Sequence, residues 1–473
     1  MKYDVVIIGS GLGGLACGVL LSKAGRSVLV LERQMQPGGC LQSYRRGDFW
    51  HDTGLHYVGE LAERQPLHEA FSLLGLLQLP WQRLDADGFD RVTIGRQTFC
   101  YAEGYDCFAE TLSEKFPKEK DSLVNYVKML SSVGQTDVMK LMSTNAYDYL
   151  THTFHDPLLV NVLSATAMRM ELRRESLPLF TFAHGQSSYI QSSWRLRGSG
   201  NQLVQTLVRQ IRDAGGEVIC NAEVEELQPS GGRIASAKCR NGETYYGRLF
   251  ISDIHPQLTF QLIKTGQLLK PLYLKRMNEL ENTFGLFTVS LVLKPNVLPY
   301  FNHNKYVYRK PNVWTFWQDV GGIGGVMVSC RVPEDGGAFA RQIDLLTPVT
   351  NTIYQRWDNT YVGHRGKDYQ EMKERLADEC IQLAERVIPD LSKMVAERYT
   401  STPLTYRDYT LTPFGSAFGL RKDSRQPLLT LLSPRTPIPN LLLTGQSLMM
   451  HGVEGVTMTA LNTVDAAMNS DNL

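Results

Sequence analysis

Two apolar runs near the start of the chain enclose a glycine-rich turn and a helical pattern. Residues 4–8 and 27–31 have the length and apolar character of buried strands. Between them, residues 12–24 place apolar side chains at helical spacing, and Gly25 ends that pattern. The pattern therefore predicts a strand, a helix and a second strand at the start of the chain.

Further along the chain, helical and strand patterns follow one another without a linker or an internal repeat. Residues 114–170, 202–214 and 369–387 have helical periodicity, and the chain should end in a helix after Gly455. Strands are predicted over 217–220, 234–239, 244–251, 283–294 and 441–444. Because no linker separates the predicted lobes, we expect an α/β fold whose domains are discontinuous in sequence.

The turn after the first strand has the pattern G-x-G-x-x-G. Gly9 permits the tight turn, Gly11 lets the backbone approach a pyrophosphate, and Gly14 allows the helix to pack closely on the strand. Leu12 and Gly13 open the helix, whose N-terminus offers unpaired N–H groups to phosphates. In this strand–turn–helix context, the pattern predicts a dinucleotide site.

The residues after the second strand indicate which dinucleotide binds. Glu32 ends that strand, where an acid hydrogen-bonds the adenosine ribose, and Arg33 and the pair Gly38-Gly39 follow. Here the chain resembles the large flavoprotein group of amine oxidases and phytoene desaturases, in which such a glycine pair crosses the FAD pyrophosphate. The resemblance implies FAD as cofactor. The chain has Cys40 where the group usually has a basic residue.

A segment near the C-terminus carries the same resemblance. A strand pattern ends at Gly445 and Gln446, and Gly455 opens the final predicted helix. In the resembled group the N-terminus of this helix faces the flavin pyrimidine, where free N–H groups stabilise the negative charge of reduced flavin. Glu454 either tunes the flavin or caps the helix. Val456 and Thr457 would supply those N–H groups. The resemblance implies cofactor contacts from Val224, Gly445, Gln446, Glu454, Gly455, Val456 and Thr457.

Residues 49–59, with the sequence FWHDTGLHYVG, narrow the resemblance to the branch of retinol saturases, carotenoid isomerases and phytoene desaturases. Shorter likenesses occur at 198–203, 252–256 and 403–419, whereas 120–185 and 295–400 match little. The resemblance implies hydrogen transfer at carbon–carbon double bonds of an apolar polyene, as saturation, desaturation or isomerisation. His56 and Tyr57 would lie beside the flavin and position or protonate the substrate; alternatively, His56 is a packing residue.

Composition limits the choice of partners. The chain has 473 residues and a formal net charge of +1, which gives no overall attraction to nucleic acid. Its eight cysteines include no C-x-x-C pair, so we expect reduced thiols, no metal site and a cytoplasmic location. No apolar run is long enough to span a membrane. The mixed basic and leucine-rich segment 264–276 is either a peripheral membrane contact or a solvated helix face.

Two other functions on the same scaffold stay open. A flavin amine oxidase would hold its amine between aromatic rings, but Leu448-Met-Met-His451 precedes the last helix. A prenyl-binding carrier of the GDP dissociation inhibitor type would lack FAD, and the intact glycine pattern disfavours it. We expect a Rossmann-type FAD-binding domain from 1–115, 190–260 and 415–473. It should interleave with an α+β substrate domain from 116–189 and 261–414; the oligomeric state is not predicted.

Overall fold

Two large sheets organise the chain in a computed structural model that describes residues 2–264, 268–318 and 322–470. In chain order the strands are β1 Lys2–Ile8, β2 Val28–Leu31, β3 Ser43–Arg46, β4 Phe49–Asp52, β5 Val58–Gly59, β6 Trp81–Arg83, β7 Asp90–Ile94, β8 Gln97–Tyr101, β9 Ser193–Leu196, β10 Glu217–Ile219, β11 Val224–Ser230, β12 Arg233–Cys239, β13 Thr244–Ser252, β14 Gly285–Leu293, β15 Asn304–Tyr308, β16 Gly325–Cys330, β17 Gln342–Val349, β18 Val395–Ser401 and β19 Leu441–Leu443.

The helices surround these sheets. In chain order they are α1 Leu12–Lys23, α2 Pro66–Leu73, α3 Tyr105–Lys115, α4 Lys120–Ser131, α5 Val138–Ser143, α6 Ala146–Thr153, α7 Pro157–Leu163, α8 Leu179–Gln191, α9 Asn201–Asp213, α10 Pro256–Gln261, α11 Pro271–Glu279, α12 Lys367–Ala384, α13 Leu391–Met394, α14 Pro403–Thr410, α15 Pro427–Thr430 and α16 Gly452–Met468. In the described part of the chain, no helix combines the length and apolar character needed to span a bilayer.

The first sheet has the strand order β10-β2-β1-β13-β12-β11, and β19 pairs with β13. Its pairs β10–β2, β2–β1, β1–β13 and β13–β19 are parallel, so their carboxyl ends meet at one edge. Val5, Val6 and Ile7 are fully buried, and each stabilises the fold by about 1.5–3 kcal/mol. The predicted strand–helix–strand start is confirmed, and the C-terminal strand lies in the same sheet.

The second sheet has the order β18-β14-β17-β16-β15-β7-β8 and is mixed, with β15 and β7 parallel. Helix α12 packs on one face, where Met372, Leu376 and Cys380 are buried. The helices from α3 to α8 pack against another cluster that includes Tyr306 and Trp314. This sheet and its helices form the lobe opposite the parallel sheet.

The predicted domain boundaries differ from the structure in more than one stretch. Helix α3, assigned to the FAD-binding domain, packs with the second sheet, and α11, assigned to the substrate domain, packs against the first sheet. Residues 90–101, assigned from the sequence to 1–115, form β7 and β8 and pair into the second sheet. The reason is that Asn304 to Tyr308 adds β15 alongside β7, a pairing between residues about two hundred positions apart that local patterns cannot reveal. Met1 and residues 471–473, within the predicted boundaries, lie outside the described residues.

The last helix also begins earlier than predicted. Helix α16 starts at Gly452, whose φ of 78° suits glycine, and not after Gly455. Gly455 lies inside the first turn. Glycine is required there because a Cβ would come within 2.5 Å of Met450 Cβ. The glycine at 455 therefore serves close packing, and Val456 and Thr457 lie beyond the first turn.

Candidate cofactor site

The G-x-G-x-x-G turn lies at the carboxyl edge of the parallel sheet, between β1 and α1. Gly9 has φ of 94°, and its N–H donates to Leu31 O at 2.9 Å, which joins the turn to the end of β2. A Cβ at Gly14 would lie 2.3 Å from Gly9 O, so only glycine lets α1 approach the strand this closely. Gly9 therefore makes the tight turn, and Gly14 allows the close contact of helix and strand.

Glu32 and the glycine pair join the same turn. The Ser10 N–H donates to Glu32 Oε2 at 3.2 Å, and the Ser10 hydroxyl donates to the same oxygen. Gly38 N–H donates to Ser10 O at 3.0 Å, while a Cβ on Gly39 would lie 3.1 Å from Gly11 Cα. The structure thus brings together the predicted turn, the predicted ribose acid and the Gly38-Gly39 pair.

Asp253 lies against the glycines that begin α1. A Cβ at Gly11 would lie 2.5 Å from its Oδ2 atom, and a Cβ at Gly13 would lie 2.4 Å from its Oδ1 atom. Oδ2 is shielded from solvent and has no hydrogen-bond partner among the described residues. Burial raises the pKa of Asp253 to about 7, with Glu32 adding to the rise and the Gly14 and Gly11 amides opposing it.

The lining of this turn suits the phosphate portion of a dinucleotide. Backbone atoms and the N-terminus of α1 line the turn, where glycines stand at residues 11, 13 and 14. Unpaired amides at a helix N-terminus bind anions, and glycines allow the close backbone approach that a pyrophosphate requires. The residues present therefore fit the phosphate and ribose portion of a dinucleotide.

The C-terminal segment packs directly on this turn. A Cβ on Gly13 would lie 3.0 Å from Gly445 N, and the Thr444 N–H donates to Ser252 O at 2.9 Å at the end of β13. Helix α16 packs along α1, with Cys17 Sγ 3.7 Å from Ala460 O. The two ends of the chain therefore meet at one site, as the sequence predicts. Gln446 follows Gly445 and contacts the loop that carries Gly419.

The first turn of α16 offers amides other than those predicted. An α-helix leaves its first few N–H groups without a partner inside the helix. With the start at Gly452, the free amides belong to Gly452, Val453 and Glu454. Glu454 is the acid of this first turn, a position that the helix dipole favours. The structure places Val456 and Thr457 in the next turn, and Thr457 is fully buried.

Three further predicted residues surround the turn at different depths. The Ala222 N–H donates to Glu32 O at 2.8 Å, so the chain leading into Val224 runs beside the predicted ribose acid. Arg33 instead reaches helix α14, where its Nη2 donates to Asp408 O at 2.8 Å. Cys40 is exposed beside Gly54, so these two residues border an open side of the site.

His56 lies at the junction of the two lobes. Its Nδ1 is 4.0 Å from Asp344 Oδ2, and its side chain is 11% exposed. Its Nε2 is buried and has no hydrogen-bond partner in the described part of the chain. Burial lowers the pKa of His56 and Asp344 partly restores it, so the ring is neutral at neutral pH. The ring thus faces Asp344 on one side and has an unpaired Nε2 on the other.

Tyr57 has its hydroxyl fully engaged. The hydroxyl donates to Asp90 Oδ2 at 3.0 Å and lies 2.7 Å from the Tyr306 hydroxyl. Its ring packs on Tyr189, with centroids 4.6 Å apart, and the Arg169 guanidinium lies 4.0 Å from the Tyr189 ring centroid. Burial raises the pKa of Tyr57 well above its ordinary value. The structure therefore assigns Tyr57 a positioning contact between the lobes.

A buried group of titratable side chains, of which only Glu454 was predicted from the sequence, lies beside the first turn of α16. His184 Nδ1 is 3.4 Å from Glu454 Oε2, and Gln191 Nε2 donates to Glu60 Oε1 at 2.6 Å. Glu60 Oε2 is buried without a partner among the described residues. Burial, and then the Glu454 charge, raise the pKa of Glu60 to about 8. Burial lowers the pKa of His184, but the two glutamates raise it more, to about 9.

Of these residues only Glu454 was predicted from the sequence as a site residue, whereas Asp253, Glu60 and His184 were not. A signal for Asp253 was present, because it directly follows β13, and ligands of open α/β sheets bind beyond the carboxyl ends of strands. Glu60 and His184 are 124 positions apart and carry no motif. Only the packing of α8 on β5 brings them together.

Comparisons with known proteins bear on this site. A family profile described as "NAD(P)-binding Rossmann-like domain" matches residues 7–72. An all-trans-retinol 13,14-reductase of Danio rerio is 24% identical over 98% of this chain and 86% of its own length. A chloroplastic prolycopene isomerase of Daucus carota is 23% identical over 94% of this chain and 76% of its own length.

Among solved structures, putrescine oxidase bound to putrescine superposes with a TM-score of 0.69 at 15% identity, over 99% of both chains. At this identity the likeness concerns the fold alone. The comparisons confirm the predicted α/β fold with a Rossmann-type unit and the predicted resemblance to the retinol saturase and carotenoid isomerase branch.

Proposed function

We propose that this protein is an FAD-dependent oxidoreductase that transfers hydrogen at carbon–carbon double bonds of an apolar polyene or isoprenoid lipid. One observation carries the proposal: the first glycine turn packs on Gly445 and α1 packs along α16, in a chain that aligns over almost its whole length with retinol reductases and prolycopene isomerases. Such a substrate is a small apolar molecule, and no feature favours nucleic acid.

The chain's own residues suit each part of FAD. The Gly9–Gly14 turn and the N-terminus of α1 would hold the pyrophosphate, together with Gly38 and Gly39. Glu32 would bind the ribose, and Val224 would lie against the adenine. The amides of the first turn of α16 would face the flavin and stabilise negative charge there. When bound, FAD supplies the two-electron chemistry at the double bond.

His56 is the candidate catalytic residue. Its buried Nε2 atom has no partner in the described residues and its ring is neutral, so this atom can hold or accept a proton near the substrate. Asp344, which is held by Ser290 and Arg331, faces the other side of the ring at 4.0 Å. Tyr57 positions the segment through Asp90 and Tyr306.

The two alternatives have less support. The likeness to putrescine oxidase concerns the fold alone. A flavin amine oxidase would hold its amine between aromatic rings near the last helix. Here the ring stacked on Phe418 is the imidazole of His451, whose Nε2 is 2.7 Å from Arg169 O. A carrier without FAD would not need the intact pattern of Gly9, Gly11 and Gly14 together with Glu32 and the Gly38-Gly39 pair.

The test identifies the cofactor and the product together. The purified protein is denatured and the released cofactor analysed; we expect FAD in stoichiometric amount. The holoprotein is then incubated with all-trans-retinol or with a carotene in detergent, with a chemical reductant in one arm and an electron acceptor in the other. Loss, gain or cis–trans isomerisation of a conjugated double bond supports the proposal. NAD as the bound cofactor, or peroxide formed from amines with no change in any polyene, overturns it.

A further inference from the structure

Six large apolar side chains lie exposed on three loops at one side of the molecule. The loop after β2 presents Met35, which is 84% exposed. The loop before α12 presents a tyrosine and a valine, and the end of α14 with the turn after it presents three more, of which Phe414 is 56% exposed. We call this surface the loop patch, and its members are Met35, Tyr361, Val362, Tyr409, Leu411 and Phe414.

Hydrogen bonds hold the three loops together. Gln34 Nε2 donates to Tyr409 O at 3.0 Å, which joins the first loop to the end of α14. Arg407 Nη2 donates to Thr360 O at 2.8 Å, which joins α14 to the loop before α12. The Tyr354 hydroxyl donates to Phe414 O at 2.9 Å. The apolar side chains therefore belong to one connected surface.

Two members of the patch are exposed at a conformational cost. Leu411 has φ of 58° and Phe414 has φ of 55°, in the left-handed region that favours glycine and asparagine. Leu411 follows the last turn of α14, where glycine is the usual residue. Neither side chain is buried in the chain's own core, so burial does not offset the strain. Folding alone does not account for an exposed leucine and phenylalanine at these positions.

The charges around the patch fit an anionic or zwitterionic lipid surface. Each nearby carboxylate is paired with an arginine: Asp368 with Arg356 at 3.1 Å, Asp408 with Arg365, and Asp358 with Arg407 at 3.8 Å. Arg33 forms no ion pair with a carboxylate among the described residues. Exposed tyrosines around apolar side chains are typical of a membrane interface, where the rings remain at headgroup level. Arg356 adds a guanidinium group that is 62% exposed.

Helix α14 connects this surface to the cofactor site. The Tyr406 hydroxyl donates to Thr53 O at 3.0 Å, in the turn that leads to His56. Arg33 directly follows Glu32 and contacts the same helix. The outer end of α14 thus carries the loop patch, while Tyr406 contacts the candidate site.

We propose that the loop patch docks on a phospholipid bilayer and that the lipid substrate enters from that bilayer. The second half of this statement rests on the proposed function, because an apolar polyene is held in membranes and not in water. The segment 264–276, predicted from the sequence as a membrane contact or a solvated face, is a different surface. Residues 265–267 lie outside the described residues, and its helix α11 exposes Leu272.

The test uses co-sedimentation of the holoprotein with vesicles of phosphatidylcholine and phosphatidylserine. In the double variant Leu411→Asn, Phe414→Asn, vesicle binding should fall about tenfold or more, because two inserted side chains are lost. Its thermal midpoint should stay equal or rise, because asparagine tolerates the left-handed conformation. The control Leu272→Asn removes from α11 a leucine that is 66% exposed, more than Leu411 at 39%, and should bind vesicles like the native protein.

Other outcomes overturn the proposal. If Leu272→Asn loses vesicle binding and the double variant keeps it, segment 264–276 is the docking surface. If the native protein does not bind vesicles but forms dimers that the double variant abolishes, the patch contacts a second copy of the chain.

Conversion of polyene in detergent should be unchanged in the double variant, whereas conversion of polyene embedded in vesicles should fall. Failure of the native protein in detergent would refute the proposed function without changing the vesicle-binding result.

Discussion

Asp253 places a carboxylate where the pyrophosphate of the proposed cofactor would approach α1. Its pKa of about 7 means that its charge changes within the physiological range. An ionised Asp253 repels a pyrophosphate, whereas the protonated form does not. FAD binding to the apoprotein should therefore be tighter at about pH 6 than at about pH 8, by about tenfold.

The variant Asp253→Asn tests this prediction by titration of FAD fluorescence against apoprotein. It should bind FAD at about pH 8 as tightly as the native protein does at about pH 6, with little pH dependence. Asp87→Asn, a change at an exposed aspartate, is the control and should retain the native pH dependence. If Asp253→Asn binds FAD more weakly at every pH, the carboxylate holds the cofactor instead of opposing it.

Glu60 should make the folded protein less stable as the pH rises. The folded chain keeps the Glu60 proton up to about pH 8, whereas the unfolded chain releases it near its ordinary pKa of about 4.3. Between these values the folded state binds more protons, so its stability falls with rising pH. Glu60→Gln mimics the protonated acid and keeps an acceptor for Gln191. It should therefore remove this loss of stability at high pH.

We expect Glu60→Gln to match the native protein at about pH 5 and to exceed its stability by about 1–3 kcal/mol at about pH 8. Urea unfolding at both pH values measures the difference. The groups facing Glu60 are Glu454 on α16 and His184 and Gln191 on α8, and all stay in place in this variant. Equal destabilisation at both pH values would mean that Glu60 is ionised in the folded state.

Single residues were predictable where the backbone itself is the functional group. Gly9, Gly11 and Gly14 follow from a local pattern whose geometry any chain must obey. Asp253 and Glu60 depend on which distant segments pack together, and a carboxylate alone does not indicate its neighbours. Residue roles that arise from burial were therefore not predictable from the sequence.

At the scale of elements, the contact between α1 and β1 depends on one missing side chain. A Cβ at residue 14 would lie 2.3 Å from Gly9 O, a backbone atom that cannot move alone. Gly14→Ala should therefore lower the free energy of unfolding by about 2 kcal/mol or more. Gly134→Ala, at an exposed site where a Cβ meets no atom within 4 Å, should change it by about 0.5 kcal/mol at most.

Denaturant unfolding compares the two alanine variants. If Gly14→Ala is as stable as Gly134→Ala, the helix has room to move away, and the close approach of α1 to β1 is not required. Released cofactor measured on both proteins adds a second result, since a shifted α1 N-terminus should also retain less FAD.

Elements were predicted well where periodicity is strong and less well at their ends. The strand 441–444 and the helices 202–214 and 369–387 match β19, α9 and α12 within a few residues. The predicted start of α16 was wrong by several residues. Gly455 resembles a helix start in the sequence, but it is glycine because a larger residue would collide with Met450. A glycine required by packing and a glycine required by a turn look the same in a sequence.

For the whole molecule, the sequence predicted that the two ends meet, and the structure confirms this through β19 and α16. It did not predict that β7 and β8 join the opposite lobe, because strand partners far apart in sequence leave no local pattern. The same limit applies to the loop patch, whose members come from three separate loops. Contacts between segments far apart in sequence were therefore the part of the fold that local patterns did not predict.

The most direct measurement of the central claim follows the flavin and the polyene together without oxygen. Protein-bound flavin is photoreduced, all-trans-retinol or a carotene is added in detergent, and both absorbance spectra are recorded; a second sample starts from oxidised flavin and a partly saturated polyene. The account predicts electron exchange in at least one sample, or isomerisation of the polyene by the reduced protein. Flavin that leaves every polyene unchanged but is bleached by an amine would contradict it.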